Sequence, residues 1–120
     1  MVCISVLYPN SSGARFDLHY YVETHMPMSV RLLSAHNGFR GVTVEQGLAG
    51  PTPETPPAFI AMCHFQFLSV EDFLAAFQPH AEVLQGDMPN YTDITPVIQF
   101  NEVLMMSSIK IANNELQGIG

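Results

Sequence analysis

Tyr20, Tyr21 and His25 sit close together in a stretch whose apolar residues recur at three- and four-residue steps. Phenol and imidazole groups can move and hold protons near neutral pH. Tyr21 and His25 are four apart, so on a helix they project over one patch of whatever lies beneath. There His25 would act as a general acid or base, while Tyr20 or Tyr21 donates a hydrogen bond to a substrate carbonyl or enolate. Pro27 cannot donate to the Glu23 carbonyl, which leaves that oxygen free beside the imidazole to fix its tautomer. A plainer reading fits the same residues: a structural histidine bonded to that carbonyl, with the tyrosines as core filler.

Other residues could share such a cleft. His64 lies mid-run between Ala58 and Leu68, on the side of Ile60 and Met62. It would join His25 if that side turned toward the helices; otherwise it is a hydrogen-bonded structural residue. His80, Asn90 and Tyr91 would close one end, and Met28 and Met62 would adapt the walls to a flat or irregular apolar ligand. Metal is not expected, because no H-x-x-x-H or H-x-H spacing occurs among the five histidines. No glycine run follows a strand and opens a helix, so no nucleotide cofactor is expected, and no serine sits in a nucleophile elbow.

The elements that must carry these groups follow from periodicity. Residues 2 to 8 alternate as a strand and stop at Pro9-Asn10-Ser11-Ser12-Gly13. Asp17 opens the helical stretch, Pro27 should kink or break it, and Asn37-Gly38 ends it. Gly41 to Gly47 reads as a second strand, and the Pro- and Gly-rich segment 47–57 as a long irregular hairpin loop. Ala58 to Leu68 alternates with apolar residues on both sides, as a central strand covered on both faces would. Ser69, with Asp72 three residues later, caps a short helix that Pro79 stops. A further turn or two lies between His80 and Met88, and a last strand runs from about Thr95 to Met106. The order β-α-β-β-α-β is the split βαβ arrangement: an α+β, ferredoxin-like domain over residues 1–106, with helices on one face of a four-stranded antiparallel sheet and a tail at 107–120.

Composition adds two constraints. Hydrophobic residues are 48% of the 120 and charged residues only 12%, about half the usual share for soluble domains. With apolar residues on both sides of strands one, three and four, the sheet face without helices needs a cover, and a second copy packed face to face supplies it. A net charge of −7 from four basic and eleven acidic residues disfavours nucleic acid and acidic membrane surfaces alike. Cys3 and Cys63 read as buried apolar thiols, and the N-terminus has neither a basic leader nor a long apolar run, so a cytoplasmic location is expected.

Two segments carry a family resemblance. Phe16-Asp17-Leu18-His19-Tyr20-Tyr21-Val22-Glu23-Thr24-His25-Met26-Pro27-Met28 resembles the F-D-x-x-Y-Y-x-x-x-H-x-P-[LM] helix of the EthD family, a branch of the dimeric α+β barrel group. Asp87-Met88-Pro89-Asn90-Tyr91-Thr92-Asp93 is similar to that family's D-x-P-N-[FY]-T-D stretch. The resemblance spans roughly residues 1 to 106 and implies a homodimer whose two sheets form one barrel. The family takes its name from a gene cluster for degrading a fuel ether, and fungal relatives are cofactor-free decarboxylases or dehydratases of polyketides. Two functions are therefore carried forward. One is a cofactor-independent lyase, cyclase or oxygenase acting on an apolar or aromatic carbonyl compound; the other is a non-catalytic binder or accessory protein for a hydrophobic metabolite.

Overall fold

The computed structural model describes residues 1–107, and most of the 107–120 tail lies outside them. Four strands, β1 (Val2–Pro9), β2 (Phe39–Gln46), β3 (Phe59–Phe67) and β4 (Val97–Glu102), form one sheet in the order β2-β3-β1-β4, each pair antiparallel. This is the expected ferredoxin-like α+β domain. Ile4 and Tyr8 of β1 and Ala61, Cys63, Phe65 and Phe67 of β3 are buried on the helix side, where alternation places them.

The first helix, α1 (residues 18–33), begins at Asp17, whose carboxylate accepts the Tyr20 N–H at 3.0 Å. Pro27 does not end it. Instead the turn Tyr21–His25 widens to a π-helix, with the Met26 N–H bonding the Tyr21 carbonyl, and a regular helix resumes over Met26–Leu33. A proline lacks the donor for the Glu23 carbonyl and its ring crowds that oxygen, so widening the preceding turn accommodates both without ending the helix. Wide turns of this kind often sit at functional sites.

Two short helices follow β3. Helix α2 (Val70–Phe77) is capped by Ser69, whose hydroxyl accepts the Asp72 N–H at 3.1 Å. Helix α3 (Ala81–Asp87) is the expected turn or two between His80 and Met88. Segment 47–57 has no regular structure, as its prolines dictate. Strand β4 is shorter than expected. It cannot pair before Val97, which follows Pro96, and it ends at Glu102 because its partner β1 ends opposite, at Val2.

The face without helices departs from expectation. Leu7, Ile60, Met62 and Val97 make an apolar strip on it, but beside them runs a polar row. In that row Ser5 Oγ lies 2.8 Å from His64 Nδ1 and accepts from Asn101 Nδ2 at 3.2 Å, and Glu45 lies 3.5 Å from His64 Nε2. Ser5 is only 6% exposed because these neighbours enclose it.

Candidate active site

The cleft between helices and sheet holds a cavity of about 240 Å³. Its floor is the helix side of β1 and β3, its roof is α1, α2 and α3, and its open edge is β4. His25 is buried at its polar end. Nδ1 lies 2.9 Å from Asp87 Oδ2, so the neutral ring carries its proton there and presents Nε2 to the interior. The Tyr91 hydroxyl approaches Nε2 at 3.5 Å, a loose contact, and lies 2.8 Å from the Tyr8 hydroxyl. Tyr21 stacks on His25 with ring centroids 5.8 Å apart.

Asp87 is held from three directions. The Tyr20 hydroxyl donates to Oδ1 at 2.7 Å, Asn90 Nδ2 donates to the same oxygen at 3.0 Å, and His25 takes Oδ2. Burial pushes the carboxyl up, but bonds from Tyr20, His25 and Asn90 outweigh it and hold it below its ordinary value of 3.8. The segment carrying Asp87 and Tyr91 is itself tied to the start of α1. Tyr91 O accepts the Asp17 N–H at 2.7 Å, Pro89 O accepts Arg15 Nη2 at 2.6 Å, and Asp93 Oδ1 accepts the Arg15 N–H at 2.8 Å.

Burial pushes the phenols of Tyr8, Tyr21 and Tyr91 upward, so all three remain protonated donors around neutrality. Cys63 is likewise pushed up by burial, to about 12, and is an inert thiol rather than a nucleophile.

The sequence candidates separate on this geometry. His25, Tyr21 and Tyr91 line the cavity. Tyr20 does not; its hydroxyl donates to Asp87, which leaves Tyr21 as the member of the expected Tyr20-or-Tyr21 pair that reaches the cavity. The Glu23 carbonyl does not orient the imidazole either, because Asp87 does. Met62 and His64 lie on the opposite sheet face, since strand alternation that points Cys63 and Phe65 at the helices points them away. Met28 and His80 lie outside the lining, and Asn90 braces Asp87 and Tyr20 from the surface. Tyr8 and the bonding role of Asp87 were missed. The alternation of β1 marked Tyr8 only as core, while the D-x-P-N-[FY]-T-D stretch did contain Asp87.

The match to the EthD domain covers residues 13–95, which includes Tyr20, His25, Asp87 and Tyr91 but not Tyr8. A solved EthD-like protein from Ralstonia eutropha JMP134 is 46% identical, with 89% of this chain and 95% of that one covered at a TM-score of 0.83. The chain belongs to the EthD family. An EthD family protein from Bacillus halodurans C-125 shares the fold at 18% identity, covering 87% of this chain and 99% of that one, TM-score 0.67. So does a mutant form of SnoaB, a cofactor-independent oxygenase from Streptomyces nogalater, at 11% identity, 88% and 93% coverage and TM-score 0.51. No curated protein in the comparison matches this EthD chain.

One stability consequence follows from the Asp87 contacts. Because its carboxyl is lower in the folded than in the unfolded chain, the contacts contribute fully above pH 3.8 and are lost as pH falls through the folded value. Thermal melts across the acid range should show this loss, and Asp87→Asn should flatten that part of the profile.

Proposed function

We infer that this EthD protein is a cofactor-independent acid–base enzyme acting on an apolar carbonyl compound, with His25 Nε2 as the proton-transferring atom. The observation that carries this reading is a buried imidazole anchored at Nδ1 by Asp87 while Nε2 faces an apolar cavity with only a 3.5 Å contact. A neutral Nε2 there removes a proton from carbon next to a carbonyl, and the protonated ring, balanced by Asp87, returns it to another atom. Tyr91, backed by a hydrogen bond from Tyr8, would donate to the enolate oxygen beside Nε2. Lyase, cyclase and oxygenase reactions can each start from such an enolate.

A homodimer covering the helix-free sheet face belongs to this reading. Apolar Val97 at 49% exposure supports a cover there, and the Ser5–His64–Asn101 row gives the interface a polar centre. A reducing cytoplasm suits the two free thiols. The binder reading rests on the apolar walls of the same cleft and differs in requiring no proton transfer.

Deuterium uptake by 2-tetralone, an uncharged enolisable ketone, separates the two. The wild-type protein should accelerate exchange of the protons beside the carbonyl, and His25→Asn should abolish that acceleration while leaving the melting temperature within a few degrees. Exchange at the buffer rate with folded wild-type protein leaves only the binder.

A further inference from the structure

The walls of the cavity specify more than an apolar ligand. None of its lining residues is Asp, Glu, Lys or Arg. Arg15 and Arg40 are committed elsewhere, to the Pro89 carbonyl and to those of Asn37 and Phe39. Among the described residues, a carboxylate or phosphate entering the cleft would lose its hydration and meet no fixed cation in the lining, with Asp87 just behind His25. The ligand is therefore uncharged.

Its size and shape follow from the volume. An apolar cavity of about 150 Å³ takes a single benzene ring. The 240 Å³ here leaves room for a second fused ring, between flat walls supplied by Phe65, Phe73, Phe77 and Phe100 and adaptable ones from Met26 and Met88.

Its polar group has one paired site to go to. Ser29 Oγ lines the cavity but is already bonded to the His25 carbonyl at 3.0 Å, and Gln85 lies at the exposed edge. The Tyr8 and Tyr91 hydroxyls, 2.8 Å apart, form a pair at the polar end, with the loose Tyr91–His25 gap beside them. With Nε2 accepting from Tyr91 and Tyr91 accepting from Tyr8, the chain of donors keeps lone pairs on Tyr8 and a proton that Tyr91 can redirect to a ligand oxygen.

We propose that the cleft selects an uncharged aromatic compound of about two fused rings bearing a single hydroxyl or keto oxygen, and that the Tyr8–Tyr91 hydroxyl pair holds that oxygen beside His25. The proposal rests on the cleft being the ligand site, as in the acid–base reading, and supplies its substrate class.

The test is a binding series with 2-naphthol, phenol, naphthalene and 2-naphthoate, followed by ligand fluorescence and competition. 2-Naphthol should bind about tenfold tighter than phenol, from the apolar area of the added ring. It should also bind about five- to tenfold tighter than naphthalene, from its hydroxyl, and about a hundredfold tighter than 2-naphthoate. The double substitution Tyr8→Phe, Tyr91→Phe keeps both rings and should erase the preference of 2-naphthol over naphthalene. Tighter binding of 2-naphthoate would mean that a protonated His25 anchors an acid, and would overturn the proposal. So would absence of 2-naphthol binding, or a hydroxyl preference that survives in the double variant. The ranking in the wild-type protein decides the matter even if the double variant does not fold. Loss of 2-tetralone exchange in His25→Asn is scored separately: exchange that ignores His25 defeats the acid–base reading alone, and a failed ranking defeats the substrate class alone.

Discussion

Asp87→Asn should reduce the proton-exchange rate by about a hundredfold to ten-thousandfold, approaching the loss expected from removing the imidazole itself. The carboxylate can only accept, so it forces the neutral ring to carry its proton on Nδ1 and leaves Nε2 as the base. An asparagine amide can instead donate to Nδ1, which moves the ring proton to Nε2 and points a donor where the acceptor is required. It also removes the negative charge that balances the imidazolium formed during turnover. Tyr20 and Asn90 keep a carbonyl oxygen to bond, so the 87–93 segment should stay in place and ligand binding should change little. Measuring the exchange rate beside the 2-naphthol affinity separates the two effects. A rate within threefold of wild type would remove Asp87 from the mechanism.

The largest stability loss should come from the other end of the sheet. Phe67 is wholly buried on β3 and packs edge-on against Phe39 and Phe73, with ring centroids 5.5 and 5.4 Å away. Phe67→Ala removes both contacts and leaves a hole that neighbouring strands cannot close, because β3 is hydrogen-bonded on both sides to β1 and β2. A cost of about 3–5 kcal/mol follows, readable as a shifted denaturant midpoint with an unchanged slope. Phe67 does not line the cavity, so protein that remains folded should exchange protons normally.

What could be read from the sequence was whatever one segment decides alone. β1 and β3 announce themselves by alternation, α2 by its serine cap, and the disturbance in α1 by Pro27, although the local rule named the cause and not its outcome as a widened turn. The site was legible only in part, because its decisive bonds join residues far apart in the chain. His25 meets Asp87 across 62 positions, and Tyr8 meets Tyr91 across 83. Alternation also fixed His64 and Met62 opposite Cys63 and Phe65; the error lay in treating as open which face the helices cover. The same alternation overstated how greasy the uncovered face is, since Ser5, His64 and Asn101 bond to one another there.

The bonds among Tyr20, Asp87, Asn90 and His25 fasten α1 to α3 at one extremity of the cleft. Among the described residues no hydrogen bond joins the roof to β4; there Phe73 meets Phe100 edge-on at 5.7 Å, Ile98 and Phe100 stand 58% and 44% exposed, and Gln85 is exposed. The cleft is thus fastened by polar bonds at one end and closed only by apolar contacts along β4, so a guest would enter past Ile98 and meet the fastened end last. Traffic in and out is then governed by side chains along β4, remote from the chemistry, so bulk added at Ile98 would slow arrival and departure together while leaving the equilibrium between them nearly untouched.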